Sequence, residues 1–410
     1  MIILASLRTA LWFRGSALPR VAMPSNPTTR PRRSGAPTSF RRKSQEAIRA
    51  EIFRRLFSPA PVDDIVPGAP VVTLAPGEPW NDSTLQAIPL EPESTGVRTA
   101  PTATPPVRAW TLPNALVAPA DGVVLSGWSR RVVAESVNTG PASLTFGQEH
   151  TLRLLRRLAQ PRPPSASGAA SLLFSPNRNY YHSLVDNLAR VCALGLSPLA
   201  STGVEVLYSE PLTAVERHVL DRIRPPNVSL RPLPSPGLVR AEHLVLPSFP
   251  AWRYSGWLPS WYVNQLRRAL LPDRPPRRSE RVFIVRRGLR RLTNEEDLLR
   301  RLDRHGFRPV ELERLPFPQQ VELFYDAEAI VAAHGAGLTN LLFAERALVV
   351  ELSPTRCVFP HYVLMSMSLG HHHRLVLGTR QTRWEEFEAD PSAVEHEFVA
   401  GLDFLRRQHS

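Results

Sequence analysis

Two stretches of the sequence concentrate side chains able to do chemistry. The first is Asn179-Tyr180-Tyr181-His182-Ser183-Leu184-Val185-Asp186-Asn187. A helix beginning near Tyr181 sets His182 and Asp186 one turn apart on one face. There Asp186 can orient the imidazole, or either group can take a proton from a hydroxyl. A capping or core histidine beside a surface aspartate is the competing reading. The second stretch is Ala332-Ala333-His334-Gly335-Ala336-Gly337-Leu338-Thr339-Asn340. It follows an apolar strand and opens a helix, where backbone N–H groups lack intrahelical partners and the helix end favours an anion. Gly335 and Gly337 allow close approach to the backbone, and His334 adds a hydrogen-bonding ring. Arg286 and Arg291 lie just past an earlier strand, with the rigid fork suited to a diphosphate. Arg287 and Arg290 read as solvated. Glu351 ends a later strand, placed to accept from a ribose or to pair with an arginine.

The elements needed to position these residues are legible in the apolar pattern. From about residue 107, short strands alternate with helices: Trp110–Val117, Val123–Leu125, Ser171–Phe174, a helix Tyr181–Ala193, Glu205–Tyr208, a helix Thr213–Ile223, His243–Leu246 and a helix Pro259–Leu271. Such alternation predicts an α/β fold with a largely parallel sheet. Pro272-Asp273-Arg274-Pro275-Pro276-Arg277-Arg278 reads as an interdomain linker. Beyond it, Val282–Val285, Phe307–Val310, Ala329–Ala332 and Leu348–Leu352 are strands separated by helices at Asn294–His305, Phe317–Tyr325 and, after the glycine turn, up to Phe343. The pattern is that of a Rossmann-like nucleotide domain. Trp384–Arg407 reads as a helix packing back across the first domain. The resulting division is 1–105, irregular and proline-rich with one amphipathic helix at Ile48–Phe57; 106–272, an acceptor-side α/β domain; 273–380, a nucleotide-binding domain; and 381–410, a helical segment.

The net charge of +13 is carried almost wholly by arginine, Lys43 being the only lysine. It is spread along the chain without a zinc finger, helix-turn-helix or aromatic-basic pattern, so nucleic acid is not the expected partner. No apolar run reaches the length of a transmembrane span. The start lacks the ordered parts of a signal peptide, so the expectation is a cytoplasmic protein, with peripheral association at the inner face of a membrane as a compatible setting. Cys192 and Cys357 read as free thiols. His371-His372-His373 has no acidic or cysteine partner at metal-ligand spacing and reads as solvent-exposed, with no metal expected. Gly122, Trp128 and Arg178 are further acceptor-side candidates.

Taken in order along the chain, Tyr181-His182-x-x-x-Asp186, Arg286, Arg291-x-x-Asn294-Glu295, Phe317-x-x-Gln320, His334-Gly-Ala-Gly-Leu-Thr-Asn340 and Val350-Glu351 resemble the family 61 glycosyltransferases. The resemblance covers roughly 170–355. It implies a GT-B-like arrangement of two Rossmann-like domains facing a cleft and an inverting, metal-independent transfer to a glycan hydroxyl, in cell-surface or capsular polysaccharide synthesis. Of cofactors it implies none; a nucleotide sugar, with UDP-sugars among the candidates, is the substrate. Donor binding falls to Arg286, Arg291, Asn294, His334, Gly335, Ala336, Gly337, Asn340 and Glu351, and the base to His182 or Asp186. The sequence departs from the family pattern at Val285, often serine, and at Ser183, often aromatic. A carbohydrate-binding protein that kept the fold is one competing reading. A nucleotide-sugar epimerase is the other, but its dinucleotide fingerprint and Tyr-x-x-x-Lys pair are absent.

Overall fold

The computed structural model describes residues 59–79, 103–137, 163–209, 211–233, 237–251, 256–288, 290–355, 359–383 and 386–407. The expected helix at Ile48–Phe57, Lys43, Cys357 and Trp384 lie outside them. Seven strands make the first sheet: β1 (Val71–Ala75), β2 (Val107–Ala118), β3 (Val123–Leu125), β4 (Ser165–Leu172), β5 (Val204–Tyr208), β6 (Val228–Pro232) and β7 (Val239–Pro247). Their order is β1-β2-β7-β4-β5-β6, with β3 on β2. β7, β4, β5 and β6 run parallel, whereas β1 to β3 are antiparallel additions. The chain steps from β4 outward to β6 and then returns to the other side of β4, so a topological switch point lies between β4 and β7.

The second sheet is wholly parallel. It contains β8 (Glu280–Ile284), β10 (Arg308–Val310), β11 (Ala327–Ala333), β12 (Leu348–Ser353) and β13 (His372–Leu377), in the order β10-β8-β11-β12-β13. Its switch point lies between β8 and β11. The central strands are buried on both faces, which explains the unbroken apolar runs of β11 and β12. A small third sheet, β14 (Arg380–Arg383), β15 (Glu386–Glu388) and β9 (Arg291–Leu292), closes the C-terminal region.

The longer helices are α1 (Tyr180–His182, a π-helical turn Ser183–Asn187, then Leu188–Ala193), α2 (Ala214–Ile223), α3 (Ser260–Leu270), α4 (Glu295–Asp303), α5 (Phe317–Tyr325), α6 (His361–Leu369) and α7 (Pro391–Arg407). The helix expected after the glycine turn is present as a 3-10 helix, Ala336–Phe343. It is held by packing: Leu341, Leu342 and Phe343 are buried in the largest core. Truncating a side chain such as Phe343 there costs about 3–5 kcal/mol. That core also takes Leu188, Val206, Tyr262 and Leu266 from the first half and Ile284, Phe324 and Met365 from the second. The expected linker does not hang free. Arg274 grips both oxygens of Asp326 at 2.7 Å and Glu322 at 2.8 Å, a bidentate pairing that ties the segment to α5.

Two expectations are corrected. The C-terminal segment starts as strand β15, paired in parallel with β9, and its helix α7 lies on the second sheet rather than the first. Val394, Phe398 and Leu402 pack against Phe283, Leu302 and Leu348. The histidine tract is not solvent-exposed either. β13 lies beside β12, and His371 and His373 are buried. His371 accepts from the Ala347 N–H at Nδ1 (3.2 Å), so its Nε2–H donates to Leu341 O at 3.0 Å. The bond accepted from Ala347 needs the neutral ring. Burial pushes His371 down from 6.5 to about 4, against the Leu341 hydrogen bond, and His372 likewise falls to about 4 through burial, Arg374 and His373.

A histidine whose folded pKa is depressed contributes stability above the unfolded pKa and loses it as pH falls through the folded one. Denaturant unfolding should therefore show stability declining from about pH 6.5 to about pH 4. In His371→Gln, whose amide offers the same acceptor and donor without titrating, the decline should be shallower. An unchanged slope would remove His371 from the account.

Candidate active site

The second switch point carries the glycine turn. β8 ends at Ile284 and leads to Arg286; β11 ends at Ala333 and leads to His334. The His334 N–H still bonds Leu352 O at 2.8 Å, which anchors the turn to β12. Gly335 has an extended backbone that any residue can adopt (φ 177°). Space is what excludes a side chain: a Cβ there would lie 1.5 Å from Arg286 Nη1. The guanidinium thus lies directly on the Gly335 backbone. Burial and the neighbouring Arg290 lower the Arg286 pKa, with Tyr362 and Glu313 opposing. A guanidinium stays charged under such a shift, so a part-buried cation stands at the sheet's carboxyl edge. Gly337 has a different reason, because a Cβ would meet Leu312 Cδ1 at 2.9 Å. It permits close packing.

Among the described residues Glu351 is paired with two histidines rather than with an arginine. It is 1% exposed, with Oε1 hydrogen-bonded to His334 Nδ1 and Oε2 3.0 Å from His373 Nε2. His373 Nδ1 in turn meets Ser366 Oγ at 2.9 Å. Burial alone would raise this carboxyl, but His334 and His373 outweigh it and hold Glu351 at about 2. The ionised carboxylate fixes the His334 ring from behind.

The first switch point carries the other constellation. The Asn179 side chain accepts from the His182 N–H at 3.0 Å, starting α1. His182 Nδ1 lies 2.6 Å from Asp186 Oδ2, with the pair spanning the π turn, a feature frequent at functional sites. Three bonds secure that turn. Asn187 accepts from Ser175 N–H after β4 (3.0 Å), Arg190 Nε donates to Pro247 O at the end of β7 (3.0 Å), and Tyr262 donates to Leu184 O (2.5 Å). Arg190 is 1% exposed, its guanidinium over the Phe249 ring at 4.3 Å. Arg178 serves structure: it grips the buried Glu216 (3.1 and 2.6 Å), to which Ser183 also donates at 2.6 Å. Gly122 has φ +66°, and a Cβ there would strike the Ser175 backbone at 2.2 Å. Trp128 is 86% exposed.

The two constellations meet. Tyr180 donates to Asn340 Oδ1 at 2.5 Å, and Asn340 Nδ2 donates to Gln320 Oε1 (3.1 Å) and Gly337 O (3.2 Å). A run of rings joins the histidines: His182 to Tyr181 (5.2 Å), Tyr181 to His361 (5.2 Å) and Tyr362 (5.9 Å), and His334 to Tyr362 (5.1 Å), Phe359 (5.5 Å) and His361 (6.0 Å). His182, Asp186, Arg286, His334, Gly335, Asn340 and Glu351 therefore belong to one connected site, with Ala336 beginning the 3-10 helix beside it. Arg291 and Asn294 are engaged elsewhere. Arg291 pairs with Glu386 (3.0 Å), and Asn294 makes two bonds to the Ala389 backbone (2.7 and 3.2 Å), clasping the C-terminal segment. Arg287 pairs with Glu295 and Glu311 at the surface. Sequence reasoning passed over Phe359, His361 and Tyr362, and it read Arg290 and His373 as solvated. The Phe359-Pro360-His361-Tyr362 run just beyond a central parallel strand was the available signal, since such strand ends are where ligands bind. An open cavity of about 800 Å³ instead lies at the amino ends of β4, β5 and β6, among Ser165, Gly203 and Asn227.

The glycosyltransferase 61 family model matches residues 180–350. Over those residues the chain is similar to that family. The family-61 segment begins at Tyr180, the donor of the bridge to Asn340, and ends one residue before Glu351. The chain is also similar to the EGF domain-specific O-linked N-acetylglucosamine transferase of Drosophila melanogaster, 30% identical over 126 residues. That is 30% of this chain and 23% of the relative, so the matched part spans about a quarter of that protein's length. Phe359, His361, Tyr362 and His373 lie outside the family-61 segment yet complete its site.

Gly335→Ala should leave the melting temperature near wild type, because the backbone is extended and the obstructing atom ends a flexible side chain. It should still displace the Arg286 guanidinium and weaken binding of inorganic pyrophosphate in a titration. Gly256→Ala is the contrast. At φ +104°, with His361 O 1.8 Å from the new Cβ, it should destabilise the fold by about 1–3 kcal/mol. Equal effects of the two changes on melting would refute this distinction.

Proposed function

We propose that this chain is an inverting glycosyltransferase that moves a sugar from a nucleotide-sugar donor to a hydroxyl of a glycan acceptor. The observation that carries the reading is the Arg286 guanidinium lying on Gly335 at one switch point, joined through Tyr180–Asn340 to the His182–Asp186 pair at the other. In this reading the two larger sheets are the halves of a GT-B-like enzyme, the first facing the acceptor and the second the donor. The family-61 segment spans both constellations, which supports a transferase over a binding protein that kept the fold.

In the proposed reaction the acceptor oxygen attacks the anomeric carbon from the face opposite the diphosphate. A new C–O bond forms as the bond to the diphosphate breaks, and its electron pair leaves with the diphosphate. Arg286, with Arg290 beside it, neutralises the departing charge. The acceptor proton passes to His182, whose ring Asp186 orients through Nδ1. His334, held by Glu351, with Gly335, Ala336, Gly337 and Asn340, shapes the backbone that receives the phosphates. Arg291 and Asn294 act at a distance, by holding the C-terminal segment against α4. N-acetylglucosamine, named in the Drosophila relative, is the first donor sugar to test, and a cell-surface or capsular polysaccharide the first acceptor class.

The test is a screen of UDP-, GDP- and CMP-sugars for transfer and for donor hydrolysis. Arg286→Ala should lower kcat/KM by about 100-fold or more, the order seen when a charge-stabilising donor is removed, and Arg291→Ala far less. Asp186→Asn should lower kcat with little change in donor KM. Neither turnover nor binding of any nucleotide sugar by the intact chain would sink the proposal.

A further inference from the structure

We propose that the Phe359 ring is the platform of a nucleobase subsite, a reading that rests on the donor site described above. Phe359 follows β12 and precedes Pro360 and α6, so its position is set by the strand end and the helix start. At 37% exposed it is the most open hydrophobic ring of the aromatic wall among the described residues; His182 and His361 are half-buried, and Tyr181 and Tyr362 are buried. His361 stacks on it nearly parallel, with centroids 5.5 Å apart and planes 6° from each other. The stack continues to Tyr181 at 5.2 Å and 31°. Offset stacking of this kind takes another flat ring as its next member, and the side of Phe359 away from His361 is where that ring would lie.

A nucleobase fits better than a sugar ring for a positional reason. Phe359 lies 5.5 Å from His334, and the next residue, Gly335, carries the Arg286 guanidinium. A flat hydrophobic surface and a phosphate-suited cation thus flank the His334-Gly335 turn. A nucleoside diphosphate presents the matching pair, a base at one end and the anion at the other. Phe359 offers no hydrogen bond to a base edge, so it would bind by π-face contact and leave the choice among bases to other groups.

The test is calorimetric titration of UDP, GDP and inorganic pyrophosphate into the full chain, its Phe359→Ala and Phe359→Trp variants, and Arg286→Gln. Phe359→Ala should weaken UDP or GDP about tenfold, within the range that loss of one base–aromatic stack produces, and leave pyrophosphate unchanged. Phe359→Trp should retain nucleotide affinity, which guards against misreading a folding defect. Arg286→Gln should weaken all three. If Phe359→Ala leaves both nucleotides unaffected, weakens pyrophosphate equally, or raises only the acceptor KM, the subsite is overturned while the donor site stands. If the unaltered chain binds none of the three probes, the donor reading fails and the subsite falls with it.

Discussion

A carboxylate buried in the middle of a parallel sheet sets the terms for this site. Glu351 sits on β12 with almost no solvent contact, and an ionised group there requires partners on every open side. Two imidazoles meet that requirement, one from the turn after β11 and one from β13. The first fixes where the glycine turn leaves the sheet. The second draws a three-histidine stretch into the interior, with Ser366 of α6 behind it. Strand order, the path of α6 and the position of His334 therefore all answer to one charge.

The same logic separates what the sequence disclosed from what it hid. β8, β11 and β12 are apolar runs buried on both faces, and their pattern was readable along with α5 and the capped start of α2. β4 begins with Ser165-Ala166-Ser167-Gly168, and β6 ends in Arg231-Pro232; neither has the apolar signature, because their order comes from neighbouring strands. Among site residues, the i, i+4 geometry of His182 and Asp186 was local and so predictable. The partners of Glu351, Arg291 and Asn294 lie far off in sequence or behind a crossover, and no local pattern announces them. Gly335 and Gly337 looked alike in the text, yet one makes room for a guanidinium and the other for a leucine.

The two halves are joined more closely than two separate lobes would be. One core runs between the sheets, and Arg267 of α3 donates to Leu342 O at 2.8 Å and to Ala344 O. Arg274 locks the connecting segment to α5. With its floor made of shared core, the site has walls whose spacing is fixed by packing, and a ligand enters an arrangement already assembled rather than drawing one together.

The π turn in α1 is one residue longer than an α-helical turn, and the helix continues unbroken beyond it. Each residue in a helix advances the azimuth by about 100°. Deleting one position between Ser183 and Asn187 would restore regular winding and swing Tyr180, Tyr181 and His182 by that angle relative to Arg190. The bridge to Asn340, the ring contacts and the imidazole–carboxylate pair would all part at once. The site therefore depends on the number of residues in α1 as much as on their identity, and a one-residue deletion there is incompatible with it.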